Sequence, residues 1–555
     1  MPFNPNANWT ARTAAGAQSP VYYIAIEDLT TKHFSTGPVR SAGTTKKALL
    51  RVPDTVAQKL SQLQGRASLT VVSFELVDRD AEITDLVATE KSSPTLATLV
   101  NRPVTLYSGY ADLAEADYAA VGFGQVDSVE MTDMGVAYRF TLVDLHRHQF
   151  DDIFTNAEAT QSIPYNTTLA ADASAGATQL TPRAVADVQE GDKLYLGPST
   201  HASYTGQEEK VTVLKVTGSA IVLTAPLAKS FKATDELRWA TTVIEGNPIN
   251  LMYAVQTGDF ANVTFPLTKV RGEPTGLGIA AGQIDSAGLQ KERDRMIPDK
   301  VWRFEAKDGV PGFRFLEQRL YRLLGYPAFT IDGKLSFRLY RPAWPDDAAS
   351  GLPTITKSDV VRWGWRRAHD LHVNKVSVGV DMDPETGEPA ETGGGEDTAD
   401  QTATRETAVF EEENTGLRAG LRGVRDADTV GSVILRRFLK PPAQYELWCH
   451  LTKRALQVGE VVSVTHDELP NVETGARGLS AVRLEIVERE ERFAQGTVRL
   501  LLQDAGFTRP SFVGPAGAIT GYDSATAAER EYAYVGDAGF PVPNFGDGTA
   551  PYEVN

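Results

Sequence analysis

The chain repeats one pattern along most of its length: short runs in which apolar β-branched or aromatic residues alternate with polar ones, broken by Gly, Pro or Asp. Such runs include VYYIAI at 21–26, LTVVSFELV at 69–77, VTLYSGY at 104–110 and VAYRFTLVDL at 136–145. Successive side chains of a strand point to opposite faces, so period-two alternation reads as half-buried antiparallel strands. At 555 residues the chain exceeds what one core can organise. The pattern predicts a mainly β, multidomain protein of barrels or sandwiches with a few helices.

Changes of texture divide the chain. Residues 1–20 read as an N-terminal arm and 21–165 as a β region, with a short helix expected over 54–64. There Pro53 and Asp54 suit a start, Val56, Leu60 and Leu63 share a helical face, and Gly65 suits the end. Residues 168–242, from LAADASAGATQL through EEKVTVLKV and SAIVLTAPL to ELRWA, read as an inserted small β-domain flanked by small polar residues. Residues 243–350 are mixed α/β, with a short helix in NPINLMYAVQTG. A stronger helix is expected over 312–327, where Phe313, Leu316, Leu320, Leu323 and Leu324 form a stripe before Gly325 and Pro327. A D-G hairpin signal follows in AFTIDGKLSFRLYRP. Residues 351–510 return to strands around a helix at 429–439 that ends before Pro441 and Pro442. From Asp381 to Thr404 there are eight acidic residues, no Lys or Arg, and the run GGG, which reads as a mobile acidic loop. Residues 511–555 lack periodicity and read as a flexible tail; Tyr522, Tyr532, Tyr534, Phe540, Phe545 and Tyr552 suit a segment that orders against a partner.

Charge and composition exclude several classes of function. A formal charge of −17 without a long basic run disfavours a nucleic-acid grip, whose affinity comes from Lys and Arg displacing counterions around phosphates. The opening residues lack a charged segment followed by an apolar one, and no stretch approaches 18 apolar residues, so neither a secretion signal nor a membrane span is expected. A single cysteine, Cys449, excludes an intramolecular disulfide and an all-thiolate zinc site.

The candidates for chemistry are few. VDLHRHQFDD at 143–152 places His146 and His148 on one face of a strand, with Asp151 or Asp152 near, in the manner of a zinc ligand set. None of the other histidines, His33, His201, His369, His372, His450 and His466, carries a motif that supplies a third ligand, so a polar strand end is the favoured reading. His369 and His372 in AHDLH fit a connecting loop. Cys449 and His450 are neighbours in a strand and point apart, which leaves Cys449 a buried small hydrophobe. GLGIAAG at 276–282 has the wrong spacing for a dinucleotide loop. Trp363 and Trp365 in RWGWRR are either an exposed platform for sugar or, more in keeping with strand tryptophans, core. No catalytic, cofactor-binding or metal residue is singled out, and the expectation is a protein that is not an enzyme.

The order of several motifs resembles tail-tip and baseplate hub proteins of tailed bacteriophages. RPVTLYSGY, then VGFGQVDSVEM and VAYRFTLVDL, resemble the family's first strands. NPINLMYAVQTG followed by PTGLGIAAGQIDSAGLQKERDR resembles its helix, G-x-G-I, helix passage. LHVNKVSVGVDMD, GSVILRRFLKPP, LQVGEVVSVTHDELPN, TGARG and AVRLEIVERE resemble its closing region, with Glu460 where Asp is commoner. The resemblance covers about 100–150 and 245–505 and leaves out the insert. It implies a homotrimer at the distal end of the tail, in which two hub β-barrels per chain (within 21–165 and 351–510) give six barrels that cap a ring of six tube subunits. The implied partners are the tail tube or distal tail ring protein, central fibre or tip proteins and the tape measure protein. The implied location is the virion tail tip or baseplate, after assembly in the host cytoplasm. The alternatives are a carbohydrate-binding or receptor-recognition tail component, resting on the insert and RWGWRR, and a metal-dependent hydrolase using His146 and His148.

Overall fold

The structure, a computed structural model, describes residues 7–14, 20–26, 33–39, 48–51, 55–69, 73–81, 83–85, 87, 99–100, 102–132, 136–143, 152–154, 165–185, 188–197, 209–239, 242–271, 274–297, 300–306, 309–330, 334–340, 352–382, 388–412, 416–417, 421–472, 474–492, 495–504, 534–535 and 552–553. The protein is mainly β and multidomain, as the alternation requires.

Helix α1 (Ala7–Ala14) precedes a seven-stranded antiparallel sheet. In chain order its region contains β1 (Val21–Ile26), β2 (His33–Ser35), β3 (Leu50–Arg51), β4 (Thr55–Ser61), β5 (Arg66–Leu69), β6 (Ser73–Val77), β7 (Pro103–Gly109), β8 (Ala119–Thr132) and β9 (Ala137–Val143). The sheet runs β2-β1-β7-β8-β9-β6-β3 and curls until its two end strands lie close, which makes it barrel-like. Ile24, Phe74, Leu76, Val104, Leu106, Phe140 and Leu142 fill its interior. Strands β4 and β5 are not part of it. They form a hairpin that crosses to another sheet.

That crossing overturns the helix expected over 54–64. Residues Thr55–Arg492 through Lys59–Glu488 form an antiparallel ladder, so the unpaired edge of a distant strand captures the segment. Tertiary pairing outweighs a three-residue helical stripe. Gly65 does adopt a left-handed conformation (φ 64°), but it serves the β4–β5 turn and not a helix end.

Residues 165–239 build a separate six-stranded sheet from β10 (Tyr165–Thr168), β11 (Gln179–Leu180), β12 (Lys193–Gly197), β13 (Glu209–Thr217), β14 (Ala220–Leu223) and β15 (Glu236–Trp239). Its first and last strands are hydrogen-bonded neighbours, so the chain enters and leaves at one place. It has its own core around Leu194, Val213, Ile221 and Leu237. It is not loosely tethered. Asp192, 1% exposed, places one carboxylate oxygen 2.6 Å from Arg271 and the other 2.8 Å from Arg303. Both arginines belong to the next sheet, β17-β16-β18, built from β16 (Thr242–Gly246), β17 (Leu267–Arg271) and β18 (Trp302–Ala306).

The helices of the middle region follow the sequence reading closely. Helix α2 (Pro248–Thr257) starts at Asn247, whose side chain accepts from Ile249 N, and ends at Gly258 with φ 78°. Helix α3 (Ser286–Met296) is capped by Asp285. Helix α4 runs from Gly312–Leu316 through a π-turn, Glu317–Tyr321, to Arg322–Leu324. Gly325 is extended (φ 170°) and opens β19 (Gly325–Phe329), which pairs with β20 (Leu335–Leu339). The glycine is needed because a Cβ there would sit 1.9 Å from the Arg338 carbonyl.

The last region contains β21 (Thr354–Thr356), β22 (Val360–Arg367), β23 (Lys375–Met382), β24 (Pro389–Glu396), helix α5 (Thr398–Thr404), β25 (Val409–Glu412), helix α6 (Leu421–Phe438), β26 (Ala443–His450), β27 (Val461–Pro470), β28 (Arg477–Arg492) and β29 (Thr497–Asp504). The large sheet runs β21-β27-β28-β29-β26-β22, with β4 added along the far half of β28. Its two end strands are consecutive in sequence, joined by the turn Lys357–Asp359, so the stretch 354–367 brings the two ends of the sheet together without pairing them. Its interior merges with the core of residues 242–340.

The acidic stretch 381–404 is ordered where the structure describes it, contrary to the sequence expectation. β24 pairs with β23, α5 follows, and α6 lies across the hairpin. The GGG run that reads as flexibility serves close approach. A Cβ on Gly431 of α6 would lie 2.9 Å from the Gly394 Cα, and Asp428 accepts the Gly394 N–H at 2.9 Å. Helix α6 also begins earlier than expected, at Leu421.

A buried ion cluster joins the first sheet to the large one. Glu491 lies 2.6 Å from Arg454 and 2.7 Å from Arg489, all at most 1% exposed in their side chains. Arg454 also donates to Ser108 Oγ at 2.7 Å, and Arg489 donates to the Arg454 carbonyl at 2.8 Å. The Arg454 guanidinium packs 5.1 Å from the Trp9 ring, whose indole N–H bonds the Ser108 carbonyl at 3.0 Å. Helix α1, strands β1 and β7 and strand β28 therefore meet at one charged centre. Burial and the Glu491 charge push the Tyr22 hydroxyl beside it far above the ordinary tyrosine range.

Two stability predictions follow from these contacts. Glu491→Gln leaves two buried guanidiniums without their counter-charge and lowers unfolding free energy by about 3–5 kcal/mol, while Lys232→Ala at the exposed Asp172 pair changes it by less than about 0.5 kcal/mol. Gly394→Ala, at φ 135° with a Cβ 2.1 Å from the Val376 carbonyl, costs about 2 kcal/mol or more, whereas Gly282→Ala, in open space, is near neutral. Urea denaturation curves measure both comparisons.

Candidate assembly surface

The surface with the least conventional chemistry is β22, VVRWGWRR. In register, Arg362, Gly364 and Arg366 stand opposite Trp448, Glu446 and Gln444, while Trp363, Trp365 and Arg367 stand opposite Leu447, Tyr445 and Ala443. The second set of partners is buried, so both tryptophans lie on the core-facing side of the sheet. Yet Trp363 is 37% and Trp365 42% exposed. The expectation that they are core is corrected for a simple reason: β22 ends the sheet, and among the described residues no strand pairs with its outer edge. Its tryptophans extend the apolar face beyond the part that the core covers.

Neighbouring groups hold this edge rigid. The Trp363 ring meets His466 edge-on, with centroids 5.9 Å apart, and its indole donates to Glu468. Burial lowers the His466 pKa against the opposing pull of Asp467 and Glu468. Lys357 bridges Asp467 at 2.9 Å and Glu468 at 2.7 Å. Lys453 reaches both Asp359 (3.2 Å) and the Thr354 carbonyl (2.8 Å). Partial burial pushes the Asp359 carboxyl up, but hydrogen bonds from Thr356 and Lys453 hold it below the usual carboxylate range. Arg366 donates to Gln444 at 2.9 Å and Arg367 to the Pro441 carbonyl at 3.4 Å.

On the outward face a charge ladder runs across three strands. Arg499 pairs with Glu446, Glu488 and Glu490, and Arg492 pairs with Glu490 at 2.7 Å. Trp448 lies between the guanidiniums of Arg492 (4.3 Å) and Arg362 (5.7 Å). In a chain of charge −17, β22 carries three arginines and no acid. Among the described residues the edge therefore presents backbone groups without a strand partner, two indoles and positive charge together, which fits an extended acidic segment better than a small-molecule site.

The other sequence candidates stay apart. His146, His148 and Asp151 lie outside the described residues, and Asp152 pairs with Pro311 in a short ladder. His372 bonds Asp400 at 2.8 Å and thereby anchors α5, beside Asn374; His369 is in the turn before it. Cys449 is buried and His450 exposed on the opposite face, and burial pushes the Cys449 thiol up to about 12. Leu277 and Ile279 of GLGIAAG are buried against α2, and Gly276 abuts Gly258, so the glycines serve packing. Among the described residues no three His, Cys, Asp or Glu side chains gather as a cation site, and no helix is long and apolar enough to cross a membrane. Sequence reasoning missed the Glu491 and Asp192 centres. The available signal was EREER at 488–492, a strand with charge on both faces, one of which has to be buried.

No protein-family model matches the sequence, and no curated protein is similar to it. Among solved structures the chain is similar to the 43 kDa tail protein of prophage MuSo2 from Shewanella oneidensis, with 9% identity over 88% of this chain and 98% of that one and a TM-score of 0.37. It is similar to the tail protein from Neisseria meningitidis MC58, with 10% identity over 88% and 98% of the two chains and a TM-score of 0.31. A short likeness is to the gp54 tailspike of Acinetobacter baumannii bacteriophage AP22, with 21% identity and a TM-score of 0.13; it spans 14% of each chain.

Two observations test the surface. Replacing Trp363 and Trp365 by Phe lowers the fraction of tryptophan emission quenched by iodide, an anion that the arginines attract. Cys449 does not react with a thiol reagent at pH 8 until the protein is unfolded, because the thiol is both buried and protonated there.

Proposed function

We propose that this chain is a structural virion protein without enzymatic activity: a trimeric hub at the distal end of a bacteriophage tail, joining the tail tube to tip or baseplate components. The ordered motifs that resemble hub proteins motivate this reading. The observation that carries it is the pairing of two curled sheets, residues 21–143 and 354–504, the first antiparallel and the second antiparallel except at β21–β27, through the Glu491 centre and the β4–β28 ladder. A chain that holds two barrel units at a fixed spacing supplies six from three copies, which matches a six-membered tube ring. The first hub barrel is assigned to 21–165 and the second to 351–510, with 168–242 as an inserted decoration and 243–350 as the segment between them. The tail tube or distal tail ring protein, central fibre or tip proteins and the tape measure protein are the partners of this reading.

A second reading, carbohydrate or receptor recognition, is favoured by one observation: Trp363 and Trp365 are exposed on one side of a strand.

The native mass of the purified protein is expected to be three times the chain mass, and particles labelled on this chain are expected to carry the label at the tail tip. A monomer absent from tail tips contradicts the hub. Glycan-array binding that disappears in Trp363→Ala/Trp365→Ala, or on deletion of 168–242, supports the second reading.

A further inference from the structure

Solvent reaches both faces of β22. Every residue from Val361 to Arg367 except Gly364 is exposed, whereas the neighbouring strand β26 is largely buried. The backbone of β22 is divided between its two edges. The Ala368 N–H donates to the Pro442 carbonyl at 3.0 Å, and in the same register Arg366, Gly364 and Arg362 stand opposite Gln444, Glu446 and Trp448. Antiparallel ladders alternate bonded and non-bonded pairs, so residues 362, 364 and 366 direct their backbone groups to β26, and Trp363, Trp365 and Arg367 turn theirs to the outer edge. Among the described residues no strand pairs with that edge.

The side chains divide between the two faces. On one, Glu446, Glu488 and Glu490 are taken up by Arg499 and Arg492, while Arg366 donates to the neutral Gln444 and Arg362 packs over Trp448. Among the described residues neither Arg362 nor Arg366 has a carboxylate partner. On the other face stand Trp363 and Trp365. The complement of this edge is an extended segment with carboxylates at alternate positions and apolar or aromatic side chains between them. The described edge strands of this chain do not offer that pattern. LTKVR of β17 is basic, and PAETGGGE of β24 has no large apolar side chain. Strand β25 buries Phe410 and Glu412, and β18 buries Trp302 and Phe304. The match is therefore to another protein.

We propose that β22 is the docking edge for an extended acidic segment of a different protein. The segment adds as the next strand of the large sheet, with carboxylates beside Arg362 and Arg366 and apolar side chains over Trp363 and Trp365. Main-chain hydrogen bonds to Trp363, Trp365 and Arg367 hold it, and the arginines reject strands of the opposite charge. Docking also covers an edge that would otherwise recruit the wrong strand. The proposal does not rest on the trimeric hub, because a single chain carries the whole edge.

Fluorescence anisotropy with the full chain and a short labelled peptide, alternating glutamate with valine and tyrosine, tests this. The peptide is expected to bind saturably, and to bind roughly tenfold or more weakly to Arg362→Glu/Arg366→Glu and to Trp363→Ala/Trp365→Ala. A peptide with lysine in place of glutamate is expected to bind the Arg362→Glu/Arg366→Glu protein and not the unaltered one, which also shows that the variant is folded. N-methylation of one alternating set of peptide amides is expected to abolish binding and N-methylation of the other set to leave it, because only one set faces β22. Failure of the acidic peptide to bind, binding indifferent to the arginine and tryptophan variants, or equal binding of the two methylated peptides overturns the proposal. Loss of binding as the chain associates with itself overturns it too, and assigns the edge to a second copy.

Discussion

One carboxylate ties the two halves of this molecule together. Glu491 is fully buried between Arg454 and Arg489, with Trp9, Tyr22 and Ser108 closing the site from the side of the first sheet. A buried ion pair is a poor source of net stability, because the desolvation of each charge offsets most of the attraction. What it supplies is selectivity of arrangement. Sliding or rotating the first sheet against β28 strands three charges in a low-dielectric interior, so other dockings of the two sheets are strongly disfavoured. Asp192 does the same for the insert, where one carboxylate satisfies two arginines of the adjoining sheet. In both places an apolar seam would bind as well but would tolerate more than one orientation.

The charged centres work with a second device, segments that leave one unit to complete another. Hairpin β4–β5 departs from the first sheet's region to pair with β28, and the stretch 354–367 contributes to both ends of the large sheet. With the long β28 running past both of its neighbours, the large sheet is completed by chain from the first sheet's region. The geometry is that of a scaffold whose parts keep fixed distances, and its described surface features include a sheet edge with exposed indoles.

The strands were legible because burial on one face imposes period two on the residues themselves, as in VYYIAI and VAYRFTLVDL. The helix at 312–324 was legible from the stripe Phe313, Leu316, Leu320, Leu323 and Leu324 and the Gly325 that follows it, and the run NPINLMYAVQTG marked the shorter helix at 248–257. Misreadings arose where the deciding contact lies far away in sequence. Nothing local in 55–61 reveals that an edge at 488–492 awaits it, and GGG has the same composition whether it is mobile or pressed against Gly431. The tryptophans of RWGWRR face the core side as their alternation implies, but their exposure depends on β22 being last in its sheet, a property of topology. The buried charges were hidden by the same limit: a strand such as EREER shows that charge falls on both faces without showing which face is covered.

The central claim is that the two sheets form one rigid body held at Glu491. Spin labels at Asp127→Cys on β8 and Arg477→Cys on β28, with the native thiol of Cys449 buried and unreactive, report the distance between the sheets directly. The account predicts a single narrow distance distribution in the full chain that broadens when Glu491→Gln is added. A broad or multimodal distribution in the unaltered background, or one indifferent to the loss of that charge, contradicts it.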